Sequence, residues 1–331
     1  MTRRRATIDD VARAAGVSRQ TVSNVVRGQG RLASATRDRV VAAIEALQYK
    51  PHTGAASLRS GRTYRIAYPI PDAELHPGSV IMLEFLQFLV AAARERKHQV
   101  LVIGSYGRGL EAIEELVRTH SVDGVVLTTM TGDDPRVAFL AERQTPFACF
   151  GRTSPGMPQH WVDIDNRAAV RQITEHVLTR GHTSIGYLGY DPQGGWDMER
   201  EAGYRDVMTA AGFPVRLIRT AMAPVDVDAA VTAMLRSPDR PTAVIAGSDM
   251  LAAACYAAAG QAGLRIGEDL AVTGFDGSAI SRILAPALTT VAMPLAAVAV
   301  RLVDRIVSEA DGVTENRGEI LATTLMWGDS A

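Results

Sequence analysis

Thr7-Ile-Asp-Asp-Val-Ala-Arg-Ala-Ala-Gly-Val-Ser-Arg-Gln-Thr-Val-Ser-Asn-Val-Val26 reads as two short helices joined by a tight turn. Ile8, Val11, Ala12 and Ala15 recur at helical spacing and share one face of the first helix. Thr7 stands where its hydroxyl can accept free amides, and Asp10, three residues on, completes a capping box. Gly16 permits the turn, Val17 plugs it, and Ser18 stands at the cap of a second helix whose Val22, Val25 and Val26 are expected inward. The outward face is then Arg19, Gln20, Ser23 and Asn24, donors suited to base edges and phosphates, presented as on a recognition helix in a major groove. An Ala-rich hairpin with merely solvated polar residues is the competing reading. Cap, turn and core all fall at the required spacing here, which favours the helix-turn-helix.

Thr36 to Gln48 continues as a third amphipathic helix, with Val40, Val41, Ile44 and Leu47 expected inward. Tyr49-Lys-Pro51 and His52-Thr-Gly-Ala-Ala-Ser-Leu-Arg59 follow. This order resembles the lac-repressor (LacI/GalR) family of bacterial transcription regulators, sugar-responsive type, and the resemblance runs through nearly the whole chain. It implies that the segment after Tyr-x-Pro is a hinge helix whose Leu58 wedges into the minor groove of an operator. It also implies DNA contacts from Thr7, Ser18, Arg19, Gln20, Thr21, Ser23, Asn24, Arg27, His52, Ala55 and Leu58. Family members commonly carry Arg or His where Asn24 stands, so the operator half-site is expected to differ from the commonest ones.

Charge divides the chain at the same place. Up to Arg65 there are thirteen Lys/Arg against four Asp/Glu, which leaves 22 of the 35 basic and 32 of the 36 acidic residues for the remainder. A basic head on an acidic body, within a net charge of -1, is the footprint of a nucleic-acid-binding arm.

From Arg65 onward short β-rich runs alternate with longer apolar-periodic stretches. Strands are expected at Arg65–Ile70, Gln99–Gly104, Asp123–Thr128, Pro146–Phe150, Ser184–Gly189, Val215–Thr220, Thr242–Ala246 and Asp269–Gly274. Helices are expected at Val80–Lys97, Leu110–Thr119, Arg167–Arg180, Met198–Ala211, Asp226–Arg236 and Asp249–Ala262. This alternation argues for parallel sheets covered on both faces. The fold class is therefore an all-α helix-turn-helix head plus an α/β body. The resemblance makes that body two Rossmann-like subdomains of periplasmic-binding-protein type, with crossings at Trp161–Asn166, near Thr289–Pro294 and near Ile320–Thr323. The expected division is 1–49 head, 50–64 hinge and 65–331 effector and dimerisation domain. Its N-subdomain is about 65–162 and 293–321, and its C-subdomain about 163–292 and 322–331.

Other classes are disfavoured. No strand is followed by Gly-x-Gly-x-x-Gly or a Walker loop, and Gly104-Ser-Tyr-Gly-Arg-Gly109 has the wrong spacing. No Ser or Cys sits in a nucleophile elbow. The seven histidines are scattered, and His182 reads as a structural hydrogen-bonder between helix and strand. Cys149 and Cys255 sit in apolar contexts as inert buried thiols. The expectation is no catalysis, no cofactor and no metal. The basic start lacks an apolar run after it, and Leu295–Val303 is short and broken by Arg301, so neither a signal peptide nor a membrane span is expected.

Ligand chemistry belongs at strand ends facing the cleft of such a fold. Arg200, before Ala-Gly-aromatic, matches the family's effector-binding arginine, and a guanidinium fork grips either vicinal hydroxyls or a carboxylate. Trp196 lies one turn earlier and could stack on a sugar face. The resemblance adds Ser248 and the Phe275-Asp276 pair, with Asp249 expected to cap the helix after it, and Asp163 and Asn166 as cleft residues. Gly151 stands where many relatives have an acid. These readings converge on a cytoplasmic, nucleoid-associated regulator, a homodimer on pseudo-palindromic double-stranded operator DNA, controlled by a mono- or disaccharide and independent of membranes. The dimer rests on the two-fold logic of half-sites and on the missing leucine-heptad tail after Trp327. The alternatives are a nucleobase or protein co-regulator as effector, a free-standing sugar-binding protein and, last, a Rossmann-like enzyme.

Overall fold

The computed structural model describes residues 6–26, 32–49, 62–70, 80–104, 109–191, 195–313 and 318–331. The chain divides into two units, Met1–Thr63 and Tyr64–Ala331.

The first unit holds α1 (Ile8–Ala15), α2 (Arg19–Val26) and α3 (Ser34–Ala46). Val11, Ala12, Ala15, Val22, Val40 and Ala43 form its core, and Ile8, Val17, Val25, Ile44 and Tyr49 pack against it. Three expectations are corrected. Val26, at the last position of α2, is 40% exposed, and Val41 and Leu47 of the third helix are exposed as well. Ser23, expected outward, is 7% exposed. A helix turns 100° per residue, so one narrow stripe centred on Val22 and Val40 is all a three-helix head can cover. Val41 falls off that stripe, while Val26 is the last residue of α2 and Leu47 follows the last residue of α3. Ser23 is small enough to be enclosed on the flank of Val22.

The second unit contains two six-stranded sheets. The first comprises β1 (Arg65–Ile70), β2 (Gln99–Gly104), β3 (Gly124–Leu127), β4 (Phe147–Phe150), β5 (Trp161–Ile164) and β11 (Gly318–Leu321), in the order β11-β5-β4-β3-β1-β2. All its pairings are parallel. The second comprises β6 (Ile185–Tyr190), β7 (Leu217–Thr220), β8 (Ala243–Ala246), β9 (Ala271–Asp276), β10 (Thr289–Ala292) and β12 (Thr324–Met326), in the order β12-β10-β9-β8-β6-β7. It is parallel except where β12 runs against β10. The chain thus passes between the sheets three times, after β5, after β10 and after β11.

Both faces of each sheet are covered, which is why central strands such as β3, β8 and β9 are buried along their whole length rather than alternately. Along β1, Ile66, Tyr68 and Ile70 meet α4 (Val80–Glu95) and α12 (Leu295–Ala310) through Phe85, Leu89, Val298 and Leu302. Ala67 points the other way, toward α5 (Gly109–Arg118) and α6 (Pro135–Glu142). The second sheet is sandwiched between α7 (Asn166–Thr179) with α8 (Gly195–Ala210) and α9 (Pro224–Arg236) with α10 (Asp249–Gln261). The short α11 (Ala279–Ile283) follows β9. Helix α6 has too few residues to announce itself by periodicity, and its signals are local: Asp134 as N-cap and Pro135 in the first turn. Helices α7 and α8 pack closely because Gly203 has no side chain. A Cβ there would overlap the Arg167 carbonyl oxygen of α7.

Candidate functional site

The head is built by capping. Thr7 Oγ1 accepts the Asp10 N–H at 3.3 Å, and Asp10 Oδ2 accepts the Thr7 N–H at 2.9 Å, closing the box. Gly16 ends α1 at φ +63°, a left-handed conformation that favours glycine. Ser18 Oγ accepts the Thr21 N–H at 3.1 Å at the start of α2. Arg19 and Gln20 are exposed, and Thr21 and Asn24 half-buried. Arg19 pairs with Asp9 at 3.0 Å, and Gln20 Nε2 donates to Asn24 Oδ1 at 3.0 Å, so the two amides are oriented together. Arg27, His52, Ala55 and Leu58 lie outside the described residues.

In the body, the C-terminal ends of the strands of both sheets converge on one cleft of about 1040 Å³ of empty space, partly open to solvent. Of the residues singled out from the sequence, Asp163, Asn166, Trp196, Arg200, Ser248 and Asp276 line it. Phe275 lies behind, its ring 3.5 Å from Arg200 Cζ. The close α7–α8 contact at Gly203 places Asn166 Oδ1 2.9 Å from Arg200 Nε. Arg200 Nη1 donates to the Gly247 carbonyl at 2.7 Å and stands 3.7 Å from Asp276 Oδ1. The half-buried Trp196 ring lies 4.6 Å from the guanidinium and lines the cleft. Arg200 is 5% exposed, so it is no solvated surface arginine.

One assignment changes. Asp249 does not cap α10: Ser248 does, its Oγ accepting the Leu251 N–H at 3.2 Å. Asp249 is the first helical residue, and its buried carboxylate accepts from Ser278 N and Oγ at 2.7 and 2.9 Å and from Thr290 Oγ1 at 2.6 Å. A cap must precede the first helical residue, and the extended backbone of Ser248 supplies that geometry. Asp163 is also occupied, with Oδ2 accepting Arg152 Nε at 2.8 Å and Oδ1 the Ile164 N–H at 2.8 Å. Arg152 in turn reaches Glu199 of α8 at 2.6 Å, joining one subdomain to the other. Two further contacts cross between them: Gly195 N–H to Met130 O at 3.3 Å, and Ala279 N–H to Glu84 Oε1 at 2.8 Å.

Burial raises these acids. Asp249 is pushed up to about 6 by desolvation, opposed by hydrogen bonds from Thr290 and Ser278. Desolvation also carries Asp276 well above the carboxylate range, with Arg200 opposing it. Asp163 and Glu199 are raised by burial against the pull of Arg152. Away from the cleft, His182 Nδ1 lies 3.1 Å from Thr242 Oγ1, and burial lowers its imidazole. Cys149 and Cys255 are buried free thiols, raised by desolvation.

Sequence reading passed over Tyr68, Thr128, Tyr190 and Ser278, which also line the cleft. Thr128 directly follows β3 and Tyr190 ends β6, so the strand-end rule would have found both. Tyr68 Oη lies 3.5 Å from Thr128 Oγ1, a pairing that only the folded sheet creates.

A helix-turn-helix unit joined to a two-sheet ligand cleft defines a DNA-binding transcriptional regulator. Residues 7–52 match the lacI family of bacterial regulatory proteins, and residues 174–331 match a periplasmic binding protein-like domain. The chain is 33% identical to the HTH-type transcriptional regulator CelR of Thermobifida fusca over 99% of both chains. It is 28% identical to the HTH-type transcriptional regulator GalR of Escherichia coli, covering 92% of this chain and 90% of that one. Among solved structures, a CelR–cellobiose complex superposes with a TM-score of 0.72 at 29% identity, covering 99% and 100% of the two chains. The lac repressor dimer bound to operator and the anti-inducer ONPF shares the fold, with a TM-score of 0.87 at 24% identity and 99% of each chain covered. The protein belongs to the lacI family of bacterial transcriptional regulators.

Proposed function

We propose that this regulator is a cytoplasmic homodimeric repressor that binds a pseudo-palindromic operator and is controlled by a mono- or disaccharide held in the cleft. The observation that carries the effector reading is Arg200, buried between Trp196 and Phe275 at the cleft wall with Asp276 and Asn166 beside it. Aromatic faces with a few convergent polar groups are what sugar recognition requires. The relative solved with cellobiose supports the same class.

Dimerisation is supported by an exposed apolar strip. Leu83 and Val90 lie two turns apart on α4, beside Val102 on the edge strand β2. Two-fold pairing there would present two recognition helices to two half-sites. Among the described residues no helix is long and apolar enough to cross a membrane.

Electrophoretic mobility shift against the DNA upstream of its own gene, with and without a panel of sugars, tests the proposal. Wild type should bind and respond to one sugar. Arg200→Ala should bind but no longer respond, because it loses the cleft and not the head. A variant that still responds at wild-type concentrations places the effector elsewhere.

A further inference from the structure

Between β3 and α6 the chain turns out of the first sheet through a conformation that its residues do not favour. Thr129 sits at φ +51°, in the left-handed region that a β-branched residue rarely enters and that persists only where surrounding contacts impose it. Such contacts come from Arg136, the second residue of α6. Its Nη2 donates to the Thr128 carbonyl at 3.1 Å and to the Thr129 carbonyl at 3.2 Å. Asp134 fixes the same guanidinium, with Oδ1 accepting from Nε at 2.9 Å and Oδ2 accepting from Nη2 at 2.6 Å. The pair is withdrawn from water, with 14% of the Arg136 side chain and 2% of the Asp134 side chain exposed. Charge-assisted bonds in so dry a place are strong, and a two-point fork holds the plane of the guanidinium.

Arg136 does not itself line the cleft, but the turn it holds does, through Thr128 and Thr129. The next residue carries that turn to the other subdomain. Met130 buries its side chain with Leu127 and Val137 in a core of the first subdomain, while its carbonyl accepts the Gly195 N–H at 3.3 Å. Gly195 is the first residue of α8, the sixteen-residue helix that bears Trp196 and Arg200. The first amides of a helix have no partner within it. One of them is therefore capped from the opposite subdomain, by the carbonyl that follows the two Arg136 holds.

We propose that Arg136 is a positioning residue for the cleft: by holding the turn at 128–130 it presents the Met130 carbonyl as an N-cap to α8, and so favours the arrangement of the two subdomains that frames the cleft. This role does not depend on what the cleft holds. It depends on shape as well as charge. A guanidinium is a flat fork that meets one carboxylate and two carbonyls together, whereas a lysine ammonium is a point charge on a flexible stem and cannot span them. The role is also separable from the stability of α6. With the Arg136 side chain shortened, Asp134 still caps α6 by accepting the backbone N–H of residue 136 at 3.0 Å, so the helix keeps its start while the turn loses its hold.

Amide hydrogen exchange tests this by NMR on the full-length protein carrying isotope-labelled glycine, with no ligand added. Gly195→Ala assigns the signal, since a Cβ there meets nothing closer than the Arg152 carbonyl oxygen at 4.0 Å. In wild type the Gly195 amide should be protected. Exchange at the rate of a free chain overturns the proposal, whatever any variant does. In Arg136→Gln and in Arg136→Lys, Gly195 should exchange about fivefold faster, the worth of one net hydrogen bond, while Gly124 of β3 and Gly189 of β6 keep their rates. Should Arg136→Gln not fold, adding Thr129→Gly relieves the strain at φ +51° and allows the same three amides to be read. A folded variant whose Gly195 exchanges at the wild-type rate overturns the proposal, Arg136→Lys included. Equal acceleration at all three glycines overturns it too, because that is what a role in stability alone would produce.

Discussion

Arg152 lies 2.6 Å from Glu199 while its Nε is held by Asp163 at 2.8 Å, so one guanidinium ties the β4 and β5 ends of the first sheet to helix α8 of the second. Trp196 and Arg200 sit on the same helix, one turn before and one residue after Glu199. The position of that helix over the cleft is thereby coupled to the first subdomain.

Glu199→Gln keeps the shape and removes the charge. It should weaken effector binding by about 1 kcal/mol, roughly fivefold, because a half-exposed charged hydrogen bond is screened but not abolished by solvent. Linkage requires that, in this variant as in wild type, the operator changes effector affinity by the same factor as the effector changes operator affinity. Calorimetry with and without operator DNA measures both sides. Unchanged effector affinity would mean the contact does not resist opening.

Asn24 is oriented by Gln20 at 3.0 Å, and its amide suits adenine. Asn24→Ala should cost about 1–3 kcal/mol at a single operator position and relax specificity there. Binding to a set of single-base operator variants separates this from a backbone contact, which would lower affinity on all of them alike.

Gly203→Ala would drive a methyl group into the Arg167 carbonyl of α7. Backbone cannot rotate away as a side chain can, so α8 must shift, at about 1–3 kcal/mol of stability. Because the same contact brings Asn166 to Arg200, effector affinity should fall with it. Urea unfolding and calorimetry report the two effects. A variant as stable as wild type would show that α7 and α8 separate freely.

The buried carboxyl of Asp249 carries a pH prediction. Burial raises it to about 6 from an unfolded value of about 4, so the folded state holds the proton more tightly. Its contribution to stability is complete below pH about 4 and is lost as pH rises through about 6. Asp276, raised in the same direction, adds to the trend. Urea midpoints at pH 4.5 and 7 should differ less for Asp249→Asn than for wild type. An equal difference would mean the group does not titrate in that window.

The head was legible in the sequence because its determinants are local. A capping box spans four residues and a turn glycine one, and both act through the backbone next to them. The alternation of apolar runs likewise announced two covered parallel sheets, since burial on both faces favours apolar runs over strict alternation. Ser23 and Val26 were misjudged for a different reason: which flank of a short helix is covered depends on where α1 and α3 lie. In the cleft, the residue types of Arg200, Asp276 and Ser248 were legible, but their partners were not. Asn166 and Arg200 are 34 positions apart and Asp249 and Thr290 are 41 apart, and no local rule relates such pairs. The sequence by itself determined the elements, the class of fold and the chemistry available at the strand ends. Only the tertiary structure decided that Asp163 is spent on Arg152, that Asp249 is spent on Ser278 and Thr290, and that the charge of Arg200 is met from within. Those outcomes depend on hydrogen-bond geometry and desolvation, which exist only once distant strands are packed side by side.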